Sequence, residues 1–275
     1  MHDSYVQSNV ERFSGFEDLY DNHRPEAPMT VVEVITSYLE RKPGLVVDLG
    51  CGTGLSTFVW KDHAERIIGI EPNDDMRGKA EAKRAAMQGM NHLSFVKGYS
   101  YQMDLPSESV DVITCSQSFH WMEPASTLKE AGRVLADGGI FAAYDCDWPP
   151  TVHWRIEEAY NRLIEKGDEV IARHAGEHSR VKKWNKAEHL QRLQESGVFR
   201  FTKEIVFHQM APFDAKRFTG LALSQGGLQT VFKLGTDELD EELQRFRDMV
   251  ERYFRDRTID VMLSYRMRLG VKAAR

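Results

Sequence analysis

Residues 45–55, which read Leu-Val-Val-Asp-Leu-Gly-Cys-Gly-Thr-Gly-Leu, decide the fold of this chain. The apolar run at 45–47 predicts a strand buried on both faces, as in a parallel sheet covered by helices. Glycines follow at positions 50, 52 and 54, and the segment 56–64 is compatible with a helix. Glycine permits positive φ angles and lets a ligand approach the backbone, and a helix N-terminus presents unpaired N–H groups. The pattern predicts a nucleotide-binding turn between a strand and a helix.

The spacing of these glycines distinguishes between classes of nucleotide. A dinucleotide fingerprint reads G-x-G-x-x-G, but Leu55 stands where its third glycine would be, and no Gly-Lys-Ser/Thr of a P-loop follows. Asp48 precedes the first glycine by two residues and suits a ligand ammonium. S-adenosylmethionine (SAM) carries an ammonium and a sulfonium but no phosphate. The loop therefore favours SAM, with a purely structural turn as the alternative.

A second buried strand is predicted at residues 66–70, and it ends in Glu71 and Pro72. Glu71 follows Gly50 by 21 residues, close to the interval of roughly 20 at which an acid reaches ribose hydroxyls. A surface carboxylate at a strand end is the alternative. Met76 falls in the first turn of the next predicted helix, where its thioether could contact an adenine. A buried core methionine is the alternative.

Strand and helix patterns continue to alternate along the chain. Further strands are predicted at 93–96, 110–115 and 140–144, with a helix at 125–135 before the last of them. Five alternations over roughly 100 residues favour a parallel sheet with helices on both faces, which binds ligands at the carboxyl ends of its strands.

Four motifs together carry a family resemblance. They are Asp48-Leu-Gly-Cys-Gly-Thr-Gly54, Gly69-Ile-Glu-Pro72 with Met76, Ile113-Thr-Cys-Ser-Gln-Ser-Phe-His-Trp121, and Arg133-Val-Leu-Ala-Asp-Gly-Gly139. Over residues 45–145 the chain resembles class I SAM-dependent methyltransferases of the methyltransferase type 11 branch. The resemblance implies SAM as cofactor and S-adenosylhomocysteine as product.

The segment upstream of the core is similar to one subgroup of that family. Tyr20-Asp-Asn-His-Arg-Pro25 with Pro28 resembles the trans-aconitate-methyltransferase-like proteins, in which this stretch folds over the cofactor. The resemblance implies that Tyr20 and Arg24 are lid residues, with Arg24 near the methionine carboxylate. A surface helix residue is the alternative for Arg24.

The resemblance also implies individual cofactor contacts. It places the methionyl end against the backbone of Gly50 and Gly52, Asp48 near the ammonium, and Glu71 on both ribose hydroxyls. The acid that receives the adenine amino group in the family is replaced here by Tyr99, so adenine recognition departs from the pattern. The full implied set is Tyr20, Arg24, Asp48, Gly50, Cys51, Gly52, Glu71, Pro72, Met76, Tyr99, Ser100, Ser116, Gln117 and Phe119.

On the acceptor side the resemblance implies that residues 115–119 line the floor beneath the sulfonium, with His120 and Trp121 at the rim of the pocket. Trp121, Trp148 and Trp154 suit apolar or cation-binding walls for the acceptor, with a place in the core as the alternative. His120 is the candidate general base because histidine titrates near neutrality. A structural histidine that holds the loop is the favoured alternative, and the catalytic residues are otherwise unknown. For a carboxylate acceptor, Arg155 or Arg180 would be the residues to test.

Composition favours a soluble enzyme without nucleic-acid partners. The net charge of −6 gives no basic face for nucleic acid. Three cysteines without paired spacing favour reduced thiols and a cytoplasmic location. No Cys/His spacing resembles a zinc site, so no metal is expected, and the sequence shows neither a signal peptide nor a membrane span. We expect a monomer or a homodimer.

The expected architecture is a Rossmann-like three-layer α/β sandwich with a mostly parallel seven-stranded sheet, an antiparallel edge strand and a helical lid. We predict an N-terminal helical cap over the cofactor at 1–40 and the SAM-binding core at 41–147. The range 148–275 would hold the lid and the last two strands, at 201–209 and 259–268.

The sequence thus predicts a SAM-dependent methyltransferase that acts on a small-molecule acceptor. A methyltransferase for tRNA or protein and a SAM-binding protein without catalysis are the alternatives. Leu55 disfavours a nicotinamide-dependent oxidoreductase. The acceptor, its attacking atom and the pathway cannot be inferred from the sequence.

Overall fold

The computed structural model describes residues 2–174 and 181–273, so Arg180 lies outside the described residues. Ten α-helices lie in this part of the chain: α1 His2–Glu11, α2 Glu17–His23, α3 Met29–Leu39, α4 Asp74–Ala86, α5 Pro124–Val134, α6 Trp154–His174, α7 His189–Glu195, α8 Ala215–Leu223, α9 Gly226–Leu234 and α10 Asp240–Phe254. Its seven strands are β1 Leu45–Leu49, β2 Arg66–Ile70, β3 Leu93–Val96, β4 Val110–Ser116, β5 Leu135–Cys146, β6 Phe199–Phe213 and β7 Ile259–Lys272. None of the described helices is long and apolar enough to cross a bilayer.

The strands form one sheet in the order β3-β2-β1-β4-β5-β7-β6, mostly parallel with an antiparallel edge strand. Strand β1 pairs in parallel with β2 and with β4, so that Asp48 lies opposite Gly69 on one side and Thr114 on the other. This register brings the carboxyl ends of the three strands to the same edge of the sheet. The predicted Rossmann-like α/β fold is confirmed.

The chain divides into two compact units. The sheet unit comprises the described residues of Pro25–Asp145, Lys182–Phe207 and Tyr265–Arg275. Its core packs the apolar side chains of the strands, such as Val47, Ile113 and Phe141, against Leu128 of α5 and Leu193 of α7. Helix α3 belongs to this unit.

The helical unit comprises the described residues of Met1–Arg24, Cys146–Val181 and His208–Ser264. Aromatic rings form its core, with Phe218 of α8 at 6.3 Å from Tyr160 of α6 and at 5.7 Å from Phe254 of α10 between ring centroids. Edge-to-face and tilted aromatic pairs of this kind add to the free energy of burial. The functional roles assigned above to the ranges 1–40, 41–147 and 148–275 stay predictions.

One element differs from the sequence-based expectation. The segment 56–64 forms consecutive turns with a single 3₁₀ turn at Phe58–Trp60 instead of a helix. The hydroxyls of Ser56 and Thr57 each donate a 2.7 Å hydrogen bond to the Asp48 carboxylate. Such side-chain bonds compete with helical geometry. The loop is therefore held by its own polar side chains and not by a helix N-terminus.

The remaining differences concern the ends of elements. Strand β5 begins at Leu135, five residues before the predicted start, and β6 and β7 extend beyond their predicted ends to Phe213 and Lys272. The segment predicted as an insertion at 211–235 holds helices α8 and α9. Tertiary pairing extends strands past the point at which local sequence signals stop.

Candidate functional site

The glycine loop after β1 contains one position that faces open space. Gly50, Gly52 and Gly54 have φ angles of +64°, +55° and +85°, which side chains rarely adopt. A Cβ at Gly50 would lie 2.7 Å from Cβ of Ser118, and one at Gly54 would lie 2.7 Å from the ring of Phe58. A Cβ at Gly52 would meet nothing within 4 Å. Gly52 is thus the loop position at which a ligand can approach the backbone.

Glu71, at the end of β2, is tied to this loop. Its Oε2 accepts a 2.9 Å hydrogen bond from the Gly52 N–H, and its Oε1 accepts one of 2.8 Å from the Asn73 N–H. Burial raises the pKa of Glu71 to about 7, although both N–H donors and nearby Arg77 favour the ionised form. Each carboxylate oxygen has two lone pairs, so the side chain retains capacity to accept hydrogen bonds from a ligand.

Asp48 is fully buried beneath the loop. Its Oδ2 accepts hydrogen bonds from the hydroxyls of Ser56 and Thr57, and its Oδ1 accepts one of 2.8 Å from Thr114. Burial raises the pKa of this carboxyl, against the effect of its three hydroxyl donors. These contacts show that Asp48 fixes the shape of the loop from within, whereas a contact with a ligand ammonium stays a prediction.

The residues predicted for the adenine follow β2 and β3 in the chain. Met76 is buried in the first turn of α4, whose N-terminus is capped by the Asn73 side chain. Tyr99 stacks on Tyr101 with ring centroids 5.3 Å apart, and the Ser100 hydroxyl pairs with that of Thr127 at 2.7 Å. An aromatic pair therefore follows β3, in the segment where the resemblance led us to expect an acid.

The loop after β4 runs next to the glycine loop. Ser118 Oγ donates a 2.7 Å hydrogen bond to the Leu49 carbonyl, which ties the two loops together. Gln117 has a φ of +53°, and its N–H donates to the Tyr144 carbonyl at 2.9 Å. Phe119 is buried against Phe141 of β5. The following predicted residues all lie in the sheet unit: Asp48, Gly50, Cys51, Gly52, Glu71, Pro72, Met76, Tyr99, Ser100, Ser116, Gln117, Phe119, His120 and Trp121.

His120 is buried beside a carboxylate that the sequence reasoning did not identify. Its Nδ1 lies 3.6 Å from Oδ1 of Asp145, and the same oxygen lies 2.7 Å from the ammonium of Lys186. Burial, with help from the positive charges of Lys186 and Lys183, lowers the pKa of His120 to about 4 against the opposing effect of Asp145. His120 is therefore neutral at physiological pH.

A second buried histidine completes this cluster. One ring nitrogen each of His120 and His189 and one carboxylate oxygen of Asp145 lie within 4.8 Å of one another. Neither ring nitrogen of His189 has a hydrogen-bond partner among the described residues, and burial lowers its pKa to about 3. Spacing cannot reveal this group because its members come from three separate segments. The sequence singled out His120 alone, although Asp145, an acid directly after a predicted strand, offered a signal of the same kind as Glu71.

The remaining predicted residues lie in the helical unit. Arg24 donates hydrogen bonds from Nε to the Ser224 hydroxyl at 2.8 Å and from Nη2 to the Ser224 carbonyl at 3.1 Å. Its guanidinium also lies 5.1 Å from the Tyr20 ring centroid and 5.0 Å from that of Trp148. Tyr20, Arg24 and Trp148 thus form one cluster, and their contact with a cofactor or acceptor stays a prediction.

Known proteins share this core. Residues 47–143 match a family model described as "Methyltransferase domain". The yeast protein "Probable S-adenosylmethionine-dependent methyltransferase CRG1" (Saccharomyces cerevisiae) is 28% identical over 140 residues, which cover 50% of this chain and 46% of that protein. Sterol 24-C-methyltransferase erg6 of Aspergillus fumigatus is 31% identical over 141 residues, 48% of this chain and 37% of the relative. The chain spans about half the length, or less, of these curated relatives.

Solved structures extend the likeness over nearly the whole chain. A protein of Anaeromyxobacter dehalogenans matches with a TM-score of 0.64 and 19% identity over 92% of this chain and 99% of its own. The YcgJ protein of Bacillus subtilis matches with a TM-score of 0.56 and 17% identity over 90% of this chain and 100% of its own. At this identity the likeness shows the fold alone.

The sheet order defines a Rossmann-like α/β fold, and the open glycine loop with its acid lies at the carboxyl ends of β1 and β2, where folds of this class bind ligands. Within that class, residues 47–143 match the methyltransferase domain, and this match together with the named relatives supports a class I SAM-dependent methyltransferase core. SAM is the cofactor of this family.

Proposed function

We propose that this protein transfers the methyl group of SAM to a small-molecule acceptor. The observation that supports this most is the hydrogen bond that joins Gly52 to Glu71. It couples the one loop position that opens to a ligand with an acid able to accept ribose hydroxyls.

The residues of the loop fit SAM in their chemistry. Arg77, the cation whose charge acts on Glu71, and nearby Lys97 both pair with Asp74, so neither is committed to a ligand phosphate. A sulfonium nucleoside without phosphate needs no such cation. When bound, SAM supplies a methyl group activated by its sulfonium and leaves as S-adenosylhomocysteine.

The protein's own residues contribute to the reaction by positioning the cofactor and the acceptor. We assign Glu71 to the ribose, the backbone of Gly50 and Gly52 to the methionyl end, and Met76 with Tyr99 to the adenine. Alignment of two reactants can contribute about 7–11 kcal/mol to lowering a barrier, so an in-line displacement needs little more from the protein. Residues 116–121 would then hold the acceptor in line with the methyl group.

A small molecule is the acceptor class that the chain's charge favours. A net charge of −6 is unfavourable for long contacts with a nucleic-acid backbone. One relative, the sterol 24-C-methyltransferase, has a name that denotes a small-molecule acceptor. Methylation of tRNA or protein and SAM binding without turnover are the alternatives that experiment must separate.

Calorimetric titration with SAM and S-adenosylhomocysteine tests the cofactor site. We expect binding to wild type and a loss of about 10- to 100-fold in Glu71→Gln, because hydrogen bonds to a charged group contribute about 1.5–3 kcal/mol. Glu33→Gln, on the exposed side of α3, is the matched control and should bind as wild type does. No binding to wild type would refute the cofactor assignment.

Transfer of a labelled methyl group tests the acceptor class. The protein and methyl-labelled SAM are incubated with a metabolite extract, with bulk tRNA and with a protein extract. We expect label in the metabolite fraction, and much less of it with Glu71→Gln at a limiting concentration of SAM. Label confined to tRNA or protein would replace the proposed acceptor class, and binding without any transfer would favour the non-catalytic alternative.

A further inference from the structure

A buried ionic cluster lies beside His120, and the proposed function does not yet use it. Asp145 is the last residue but one of β5 and is 3% exposed. Lys186 approaches its Oδ1 to 2.7 Å, and Nη1 of Arg268 lies 3.4 Å from its Oδ2. Burial of charges is costly unless they are paired, so a cluster of this kind needs an explanation in function or in stability.

Lys186 makes two contacts that join separate parts of the sheet unit. Besides its ion pair with Asp145, its ammonium donates a 2.9 Å hydrogen bond to Oε1 of Gln117, the residue with positive φ in the loop after β4. Two residues earlier, the backbone N–H of Trp184 donates a 2.8 Å hydrogen bond to the His120 carbonyl. The segment 184–186 is thus hydrogen-bonded to both ends of the stretch 117–120.

We propose that Lys186 is a positioning residue for the acceptor side: by pairing with Asp145 and Gln117 it holds the loop after β4 and keeps His120 as an oriented, neutral imidazole. This inference rests on the proposed function, which gives residues 116–121 their place beside the acceptor. Lys186 comes from a segment that lies outside every motif of the sequence.

The charges around His120 explain why the lysine matters. An isolated carboxylate 3.6 Å from an imidazole would favour the protonated ring. Lys186 pairs with that carboxylate, and Lys183 adds a second positive charge, so both lower the pKa of His120 and reinforce the effect of burial. His189, the other titratable group of the cluster, is neutral because burial lowers its pKa to about 3.

Asp145 supplies orientation. Its Oδ1 is on the Nδ1 side of the His120 ring, which favours the tautomer with the proton on Nδ1 and a free lone pair on Nε2. A neutral imidazole in this tautomer can accept a proton at Nε2 from an acceptor atom as that atom takes the methyl group. Without Lys186, the carboxylate would shift His120 towards the charged form, which has no lone pair.

Two histidines and a carboxylate also have the composition of a metal site. In this cluster, however, both oxygens of Asp145 already face cations, Lys186 on one and Arg268 on the other. To bind Asp145, a divalent ion would have to displace the Lys186 ammonium, which lies 2.7 Å from Oδ1 of Asp145. The ionic contacts therefore favour the lysine as the partner of Asp145.

Titration of His120 by NMR, with the signal assigned through His120→Gln, tests the inference in the protein without cofactor. In wild type we expect no titration of His120 above about pH 5. Lys186→Met should raise its midpoint by at least about one pH unit, in line with the effect of one charge nearby. Lys186→Arg should keep the wild-type midpoint, and Lys203→Met, an exposed lysine of β6, is the matched control.

SAM affinity, measured on the same variants, separates this inference from the proposed function. Lys186→Met should bind SAM as wild type does, and Glu71→Gln should leave the His120 titration unchanged. A His120 midpoint unmoved in folded Lys186→Met would overturn the positioning role even where SAM binds normally. One equivalent of a transition metal in the purified protein, lost in His189→Ala, would also overturn it, because Asp145 would then be a metal ligand.

Discussion

The backbone N–H of Gly52 donates a hydrogen bond of 2.9 Å to Oε2 of Glu71, across the edge where β1 and β2 end side by side. The two residues are 19 positions apart in the chain, and the parallel register of the strands makes them neighbours. Because the second oxygen of Glu71 also accepts an N–H, from Asn73, the carboxylate has a fixed orientation before any ligand arrives. Such preorganisation lowers the entropic cost of binding.

Affinity for SAM should depend on pH through Glu71. Burial raises the pKa of this carboxyl to about 7, and only the ionised form has both oxygens free to accept ribose hydroxyls. Protonation therefore competes with binding, so the association constant should fall by up to about tenfold for each pH unit below 7 and level off above it. Calorimetry from pH 5.5 to 8.5 measures this.

Glu71→Gln provides the control for that experiment, because glutamine does not titrate. Its weaker binding should be flat between pH 6 and 8. If wild type were equally flat over this range, the ionised carboxylate would not be the group that binds the ribose.

Gly52→Ala should reduce SAM affinity far more than it reduces stability. A Cβ at Gly52 would enter space that no protein atom occupies within 4 Å, where we expect the methionyl end of the cofactor. The φ of +55° adds strain of about 1–2 kcal/mol. We expect a loss of affinity of more than tenfold with a decrease in Tm of only a few degrees.

Gly89→Ala is the matched control for the glycine experiment. Gly89 has a φ of +77° and equally open surroundings, but it lies in the turn after α4, where no ligand is predicted. Its Tm should fall by a similar amount while SAM affinity stays at the wild-type value. Equal affinity of the two alanine variants would mean that no ligand approaches the backbone at Gly52.

The sequence predicted the part of the site that is built from local signals. These signals are the glycines at 50, 52 and 54 in the turn after one strand and Glu71 at the end of the next strand. The spacing between these residues is what predicted a cofactor site. The ionic cluster gave no such pattern, because Asp145, Lys186 and His189 meet only through the tertiary fold. The segment 56–64 misled for a related reason: its residues tolerate a helix, but the buried Asp48 carboxylate binds the hydroxyls of Ser56 and Thr57 and holds the chain in turns.

Thr114→Val should lower the free energy of unfolding of the sheet unit, while the volume of the buried side chain stays nearly the same. Thr114 is fully buried and donates one of the three hydroxyl hydrogen bonds to Asp48. Valine has the same shape but leaves a buried carboxylate with one donor fewer, at a cost of about 1–3 kcal/mol. Urea unfolding measures the difference. Thr36→Val is the control, because its hydroxyl bonds only carbonyls within α3 and the substitution should change stability less.

Acid should destabilise the protein through the buried histidines His120 and His189. The pKa of His189 is lowered to about 3 and that of His120 to about 4, so the native state binds fewer protons than the unfolded chain below pH 6.5. Stability therefore rises with pH across the window from about 3 to 6.5 and is lost as the pH falls through it. A single histidine with this shift would account for about 2 kcal/mol between pH 7 and pH 5.

His189→Leu isolates the contribution of one histidine. Leucine keeps a buried apolar contact with Phe119, whose ring centroid lies 4.8 Å from that of His189, and cannot be protonated. Urea unfolding at pH 7 and pH 5 should show a smaller loss of stability at pH 5 than in wild type, by about 2 kcal/mol. His63→Leu, at a partly exposed histidine of the sheet unit, should retain the wild-type loss. If His189→Leu kept the full loss as well, then His189 would already be protonated in the folded protein, and the ionic cluster would have to accommodate a further positive charge beside Asp145.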